Sequence, residues 1–259
     1  MDNKTYALFK NVIFGPFLRI YNRPEIAHLE RIPATGPAIL ASSHQSVLDS
    51  FFLPLLSPRQ ITFLAKKEYF EGKTLVGKLQ KWFFTSVGQV PVDRESATAS
   101  DAAIVAATRV IDKGDLFGIY PEGTRSPDGR VYRGHSGVAR IAYRVNASRT
   151  PDTAVAIIPI AMIGSRDANP IGSWILRPAK VRIVVCEPIN PLVFAAERGL
   201  EVGTYETERA LTDHIMAVLA EAVGAEYVDV YASTVKKSLA AGEGYPPGAE
   251  PGAGARSEG

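Results

Sequence analysis

The chain has 259 residues, 46% of them hydrophobic and 22% charged, which is ample material for one medium α/β domain or two small ones and excludes disorder as a global state. Lysine plus arginine number 29 against 27 acidic residues, and a net charge of +2 is too weak for a general nucleic-acid coat, so no nucleic acid is expected as a partner. The charge is uneven, +7 over residues 1–150 and −5 over 151–259, so the front half is expected to face something anionic.

The chain opens with TYALFKNVIFGPFLRIYNRP, in which apolar residues recur at helical spacing among Lys4, Lys10, Arg19 and Arg23, with Pro16 as a kink or helix restart. Two readings are open for it. The segment lies in a membrane interface with Phe9, Ile13, Phe14 and Phe17 downward and basic groups on lipid phosphates, or it packs as an amphipathic helix on the domain's own core. No run of about 18 apolar residues occurs, so no spanning helix is expected, and no small-residue cleavage site follows the first apolar stretch. The expectation is a soluble or peripheral chain.

From Gly36 strand-like and helix-like pieces alternate: PAILAS, VLDSFFLPLL, QITFLAK, a helix near 75–84, VGQVPVD, a helix over 97–113, DLFGIY and a helix over 134–145. AVAIIPIAMI and KVRIVVCEPI are continuous apolar or β-branched runs, the mark of strands covered on both faces. Cys186, in the second run, has no partner for a disulfide and reads as buried apolar filler in a reducing, cytoplasmic protein. A further helix is expected over 206–223, with 227–237 extending the helical end. The fold class is α/β, a central mainly parallel or mixed sheet flanked by helices, after an N-terminal amphipathic helical segment. The domain reading is an interface segment at 1–31, one folded domain at 32–237, and a Gly- and Pro-rich disordered tail at 238–259.

Among the histidines, His44 is set apart because it follows the strand PAILASS and precedes an apolar helix, a strand-to-helix turn that displays side chains on a rigid scaffold. Asp49, five residues on, would sit about 140° away in one continuous helix, but a helix starting after His44 lets the imidazole fold back toward it. The pair would make a base, with the carboxylate holding the Nδ1 proton. The alternative is a capped helix start in which Ser43 or Ser46 caps and Asp49 complements the dipole. No G-x-S-x-G elbow occurs, which disfavours a covalent acyl-enzyme, and His44, Asp49 and His135 lack ligand spacing, so no metal is expected.

Two further segments carry anion-binding chemistry. GQVPVDR ends in Arg94, a guanidinium at a strand end. YPEGTRS places Glu122, Gly123, Thr124 and Arg125 at the C-terminal edge of a strand, where open α/β sheets bind ligands, although the first part also fits an ordinary turn. Lys66 either joins this positive cluster or forms a solvated pair with Lys67.

Taken in order, SHQSVLD, GQVPVDR, YPEGTRS and IIPIAM resemble the four sequence blocks of the glycerolipid acyltransferase family, over roughly residues 32–188. The resemblance implies transfer of a fatty acyl group from acyl-coenzyme A or acyl carrier protein to the free hydroxyl of 1-acylglycerol 3-phosphate, giving phosphatidic acid with no cofactor. It implies His44 as general base, Asp49 as its orienter, and Lys66, Arg94, Glu122, Gly123, Thr124 and Arg125 around the acceptor phosphate. Glu122, repelled by phosphate, would hold Arg94, Arg125 or a substrate hydroxyl. Lysophosphatidic acid, the thioester donor and membrane lipids are the implied partners, at the cytoplasmic face of the cell membrane. Two departures are Ser43, where the family has asparagine, and Val90-Pro91-Val92, where it has a bulkier apolar sequence. The alternatives are a related enzyme acylating glycerol 3-phosphate, another lysophospholipid or a glycolipid, a thioester hydrolase, and a non-catalytic membrane lipid-binding protein.

Overall fold

The computed structural model describes residues 4–13, 15–72, 74–86, 88–92, 99–173 and 175–252. Its strands in chain order are β1 (Glu25–Ala27), β2 (Ala38–Ser42), β3 (Ile61–Lys66), β4 (Val90–Val92), β5 (Leu116–Ile119), β6 (Val131–Tyr132), β7 (Ile157–Ile163), β8 (Arg182–Val185) and β9 (Tyr227–Val228). The helices are α1 (Lys4–Leu8), α2 (Gly15–Tyr21), α3 (Asp49–Leu56), α4 (Leu75–Ser86), α5 (Ala99–Asp112), α6 (Gly137–Val145), α7 (Ser165–Ala168), α8 (Pro191–Glu197), α9 (Tyr205–Val223) and α10 (Ala232–Ala240), with a π-helical turn, Phe9–Ile13, between the first two.

Among the described residues seven strands form one sheet in the order β1-β8-β7-β2-β5-β3-β4. All neighbours are parallel except β7 and β8. The sheet is therefore mixed, within the mainly parallel or mixed class expected. Along β2, Ile39 and Ala41 face one core with α5, α6, α8 and α9, while Ala38 and Leu40 face a second core with α2 and α3. A strand buried on both faces has no polar side to alternate with.

Two boundaries differ from the sequence reading. Glu25–Ala27 pairs with β8, so residues 25–31 belong to the sheet domain rather than to a separate N-terminal segment. The tail expected to be disordered from 238 is ordered through 252: α10 runs to Ala240, Ala249 is buried, and Arg130 donates to the carbonyls of Ala249 and Glu250 at 2.6 and 3.2 Å. Composition hides this because the anchoring is polar and comes from elsewhere in the chain. Only a small apolar cluster, Tyr132, Val228, Ala232, Val235 and Ala249, lies beneath. Residues 227–228, read as helix, form β9 beside β6. Residues 253–259 of the expected tail lie outside the described residues.

Candidate active site

β2 and β5 are parallel neighbours, so the loops that leave their C-terminal ends emerge side by side at one sheet edge. The first carries His44. Asp49, the first residue of α3 and fully buried, turns its Oδ2 back over the loop and accepts from the backbone N–H of Gln45 at 2.7 Å and of Ser46 at 2.8 Å. The same oxygen lies 3.0 Å from His44 Nδ1. The loop thus bends far enough to bring the imidazole over the start of the helix, which five residues of continuous helix cannot do. Ser43 stands where the resembled family has asparagine, and its Oγ accepts from Met162 N at 2.9 Å.

Two aromatic residues back the imidazole. Tyr120 stacks on His44 with centroids 3.9 Å apart and on Phe63 at 5.3 Å, and its hydroxyl is 2.9 Å from Ser50 Oγ. Burial pushes the Tyr120 phenol up, so it stays neutral. Gly118 is what admits Phe63, because a Cβ there would sit 2.3 Å from the ring. Tyr120 was not among the residues expected at the site; its signal was an aromatic directly before the PEGTR segment.

The second loop begins with a turn in which Gly123 N donates to Tyr120 O at 3.0 Å and Gly123 takes φ +70. Any side chain there would be strained, and its Cβ would fall 3.1 Å from His135 Cδ2. Glu122 is fully buried, and its two oxygens accept from His44 N and Tyr132 N, each at 3.1 Å. Burial pushes this carboxyl up to about 8 against those two amides. Arg94, one of its expected partners, lies outside the described residues, and the Glu122 carboxylate makes no ion pair with Arg125, another. Its oxygens are taken by backbone amides, and it ties the His44 loop to the strand after the turn.

Thr124 and Arg125 are half-buried on the same loop, and Thr124 Oγ1 accepts from Lys236 Nζ at 2.8 Å. Lys66 ends β3 opposite Val92 in register, but its side chain lies outside the described part. Arg94 also lies outside the described residues, so the structure brings together His44, Asp49, Glu122, Gly123, Thr124 and Arg125 from the expected set. No group of three or more His, Cys, Asp or Glu that could hold a metal occurs among the described residues.

An imidazole held by a buried carboxylate beside a cationic loop agrees with the segments read as blocks, and a family model described as Acyltransferase matches residues 23–163, just over half of the chain. The chain belongs to the acyltransferase family. Relatives of the chain include the chloroplastic 1-acyl-sn-glycerol-3-phosphate acyltransferase LPAT1 of Arabidopsis thaliana, 30% identical over 71% of this chain and 47% of the relative. Another is the 1-acyl-sn-glycerol-3-phosphate acyltransferase of Bacillus subtilis, 27% identical over 69% of this chain and 76% of the relative. The chain spans about half the length of the Arabidopsis and Brassica napus relatives. The crystal structure of the 1-acyl-sn-glycerophosphate acyltransferase PlsC from Thermotoga maritima shares the fold, with a TM-score of 0.61, 22% identity and coverage of 86% of this chain and 81% of that one. The resemblance read from the four blocks and the α/β sheet class are both borne out.

At the other end of the chain, the N-terminal segment packs in part on the domain's own core. Tyr6 donates to Pro54 O at 3.1 Å, Lys10 Nζ donates to Ser57 O, and Leu18 enters the core beside α3. Val12, Phe17 and Ile20 remain outside, 64%, 53% and 76% exposed. Of the expected interface residues, Phe14 and the side chains of Phe9 and Ile13 lie outside the described part. No described helix is long and apolar enough to cross a membrane.

Proposed function

We propose that this protein transfers a fatty acyl group from an acyl thioester, acyl-coenzyme A or acyl carrier protein, to the free hydroxyl of 1-acylglycerol 3-phosphate, giving phosphatidic acid. The observation that carries the reading is the 3.0 Å contact between His44 Nδ1 and buried Asp49, at the sheet edge that also bears Thr124 and Arg125. With its proton held by Asp49, Nδ1 leaves Nε2 as the base. The acceptor O–H gives its proton to Nε2 as the oxygen attacks the thioester carbonyl carbon. The tetrahedral oxyanion collapses, the C–S bond breaks, and the imidazolium returns the proton to the departing thiolate, so ester and free thiol leave together and no acyl-enzyme forms. Arg125 and Thr124 seat the acceptor phosphate through charge-assisted hydrogen bonds.

The protein works at the cytoplasmic face of the membrane, with Val12, Phe17 and Ile20 entering the lipid interface and the basic front half facing anionic lipid. The test is product analysis by mass spectrometry with one labelled acyl-coenzyme A and an acceptor panel of lysophosphatidic acid, glycerol 3-phosphate, a lysophospholipid with a headgroup and a glycolipid. Phosphatidic acid as the main product supports the reading. Release of free fatty acid at the rate of transfer, or full activity in a His44→Ala protein, overturns it.

A further inference from the structure

The C-terminal helix α10 lies outside the span matched by the family model, yet it delivers a cation to the acceptor loop. Lys236 Nζ donates to Thr124 Oγ1 at 2.8 Å and is half-buried there. An ammonium has three protons, and a neutral hydroxyl uses one of them. No carboxylate lies within 4.0 Å of Lys236 among the described residues. Arg166, on α7, reaches the same loop and donates to Ser126 O and Pro127 O at 3.1 and 2.8 Å, carbonyls that leave its charge uncompensated. Burial and then the neighbouring charge of Arg125 hold the Lys236 amine below its usual range, Arg166 adds to this, and Glu122 opposes it. Glu122 is a weak counter-charge, because its oxygens are committed to backbone amides and burial favours its neutral form. Three cations gathered without a free anion cost stability unless one arrives with a ligand.

We propose that Lys236, carried in by the C-terminal helix, completes with Arg125 and Arg166 the seat for the phosphate of the acceptor lipid and selects phosphate-bearing over uncharged acceptors. The inference rests on the acceptor reading above and adds residues that no sequence block contains. The segment is built to hold that position. β9 pairs with β6 directly after the turn, and Arg130 pins residues 249 and 250.

The test is titration calorimetry of the full chain with 1-oleoylglycerol 3-phosphate and with uncharged 1-oleoylglycerol, both below their aggregation concentrations. Lys236→Gln, which keeps a donor for Thr124 and removes the charge, should weaken binding of the phosphate lipid about tenfold or more and leave the uncharged lipid within about threefold. Lys236→Arg should retain most of the affinity. In turnover, the Lys236→Gln acceptor KM should rise while kcat and the donor KM hold. Equal affinity of wild type and Lys236→Gln for the phosphate lipid, or an equal loss for both lipids, overturns the proposal. If wild type binds the phosphate lipid in a Lys236-dependent way but transfers no acyl group to it, the seat stands and the acyl-transfer reading falls.

Discussion

Asp49 Oδ2 meets three donors at once: two backbone amides that shape the loop and the imidazole that the loop carries. One carboxylate therefore builds the turn and holds the imidazole, and in the proposed reaction it would stabilise the imidazolium that forms when the acceptor is deprotonated. Asn at this position keeps an oxygen for the amides but removes the charge, so Asp49→Asn should stay folded while kcat falls on the order of 10²-fold or more. Steady-state kinetics should show a fall in kcat larger than any rise in donor KM. Glu122 carries a different pH signature. Its carboxyl is raised from 4.5 to about 8, so between those values the folded chain holds a proton that the unfolded chain has lost, and stability decreases as pH rises through that window. Glu122→Gln removes the titration and also sets an amide NH₂ against one backbone N–H, at a cost of about 1–3 kcal/mol. The stability advantage of wild type over Glu122→Gln should therefore be greatest near pH 5 and shrink toward pH 8, as read by chemical denaturation across that range.

At the scale of elements, the N-terminal helices face two ways. Leu18 is committed to the core beside α3, while Ile20 and Phe17, the latter stacked on Tyr21 of the same helix, stay more than half exposed. Each large apolar side chain moved from water into lipid contributes about 1.5–3 kcal/mol, so Phe17→Ser with Ile20→Ser should cut co-sedimentation with anionic vesicles at least tenfold and leave thermal stability nearly unchanged. Unchanged sedimentation would mean that another face meets the membrane. These helices were legible as amphipathic in the sequence, but which residues turn inward was not, because that depends on Pro54 in α3 and Ser57 just after it. β7 was legible because burial on both faces demands an unbroken apolar run, and β2 and β5 as short apolar pieces between helix-like ones. β1, β6 and β9, of two or three residues, carry too few positions for any period to register. The His44 and Asp49 pair was legible because both partners sit in one short loop. The task of Glu122 was not, since its partners are backbone amides 78 and 10 residues away, and an amide leaves no mark in a side-chain pattern.

Across the whole molecule, the feature farthest from any sequence signal is the return of the C-terminal segment onto the acceptor loop. A Gly- and Pro-rich stretch can be ordered when its own backbone supplies acceptors to a half-buried cation fixed elsewhere. Arg130 is that cation. It bonds Asp128 Oδ2 at 2.9 Å and Tyr132 Oη at 3.1 Å, caps the carbonyls of Ala249 and Glu250, and lies over the ring of Tyr245 at 5.2 Å. Removing it would leave Tyr132 and the 249–250 carbonyls without their donor, while His44 and Asp49 keep every bond they make. Arg130→Met should therefore lower stability by on the order of 2–3 kcal/mol. It should also speed amide exchange through 241–252 and α10 well before β2 and α3 respond, because opening of the segment breaks few core contacts. Through Lys236 the same variant should weaken phosphate-lipid binding without altering the pH dependence of kcat. Hydrogen exchange read by mass spectrometry, segment by segment, checks the order of opening. Simultaneous loss of protection in β2 and in 241–252 would mean that the C-terminal segment folds as one unit with the sheet rather than as a strap laid across it.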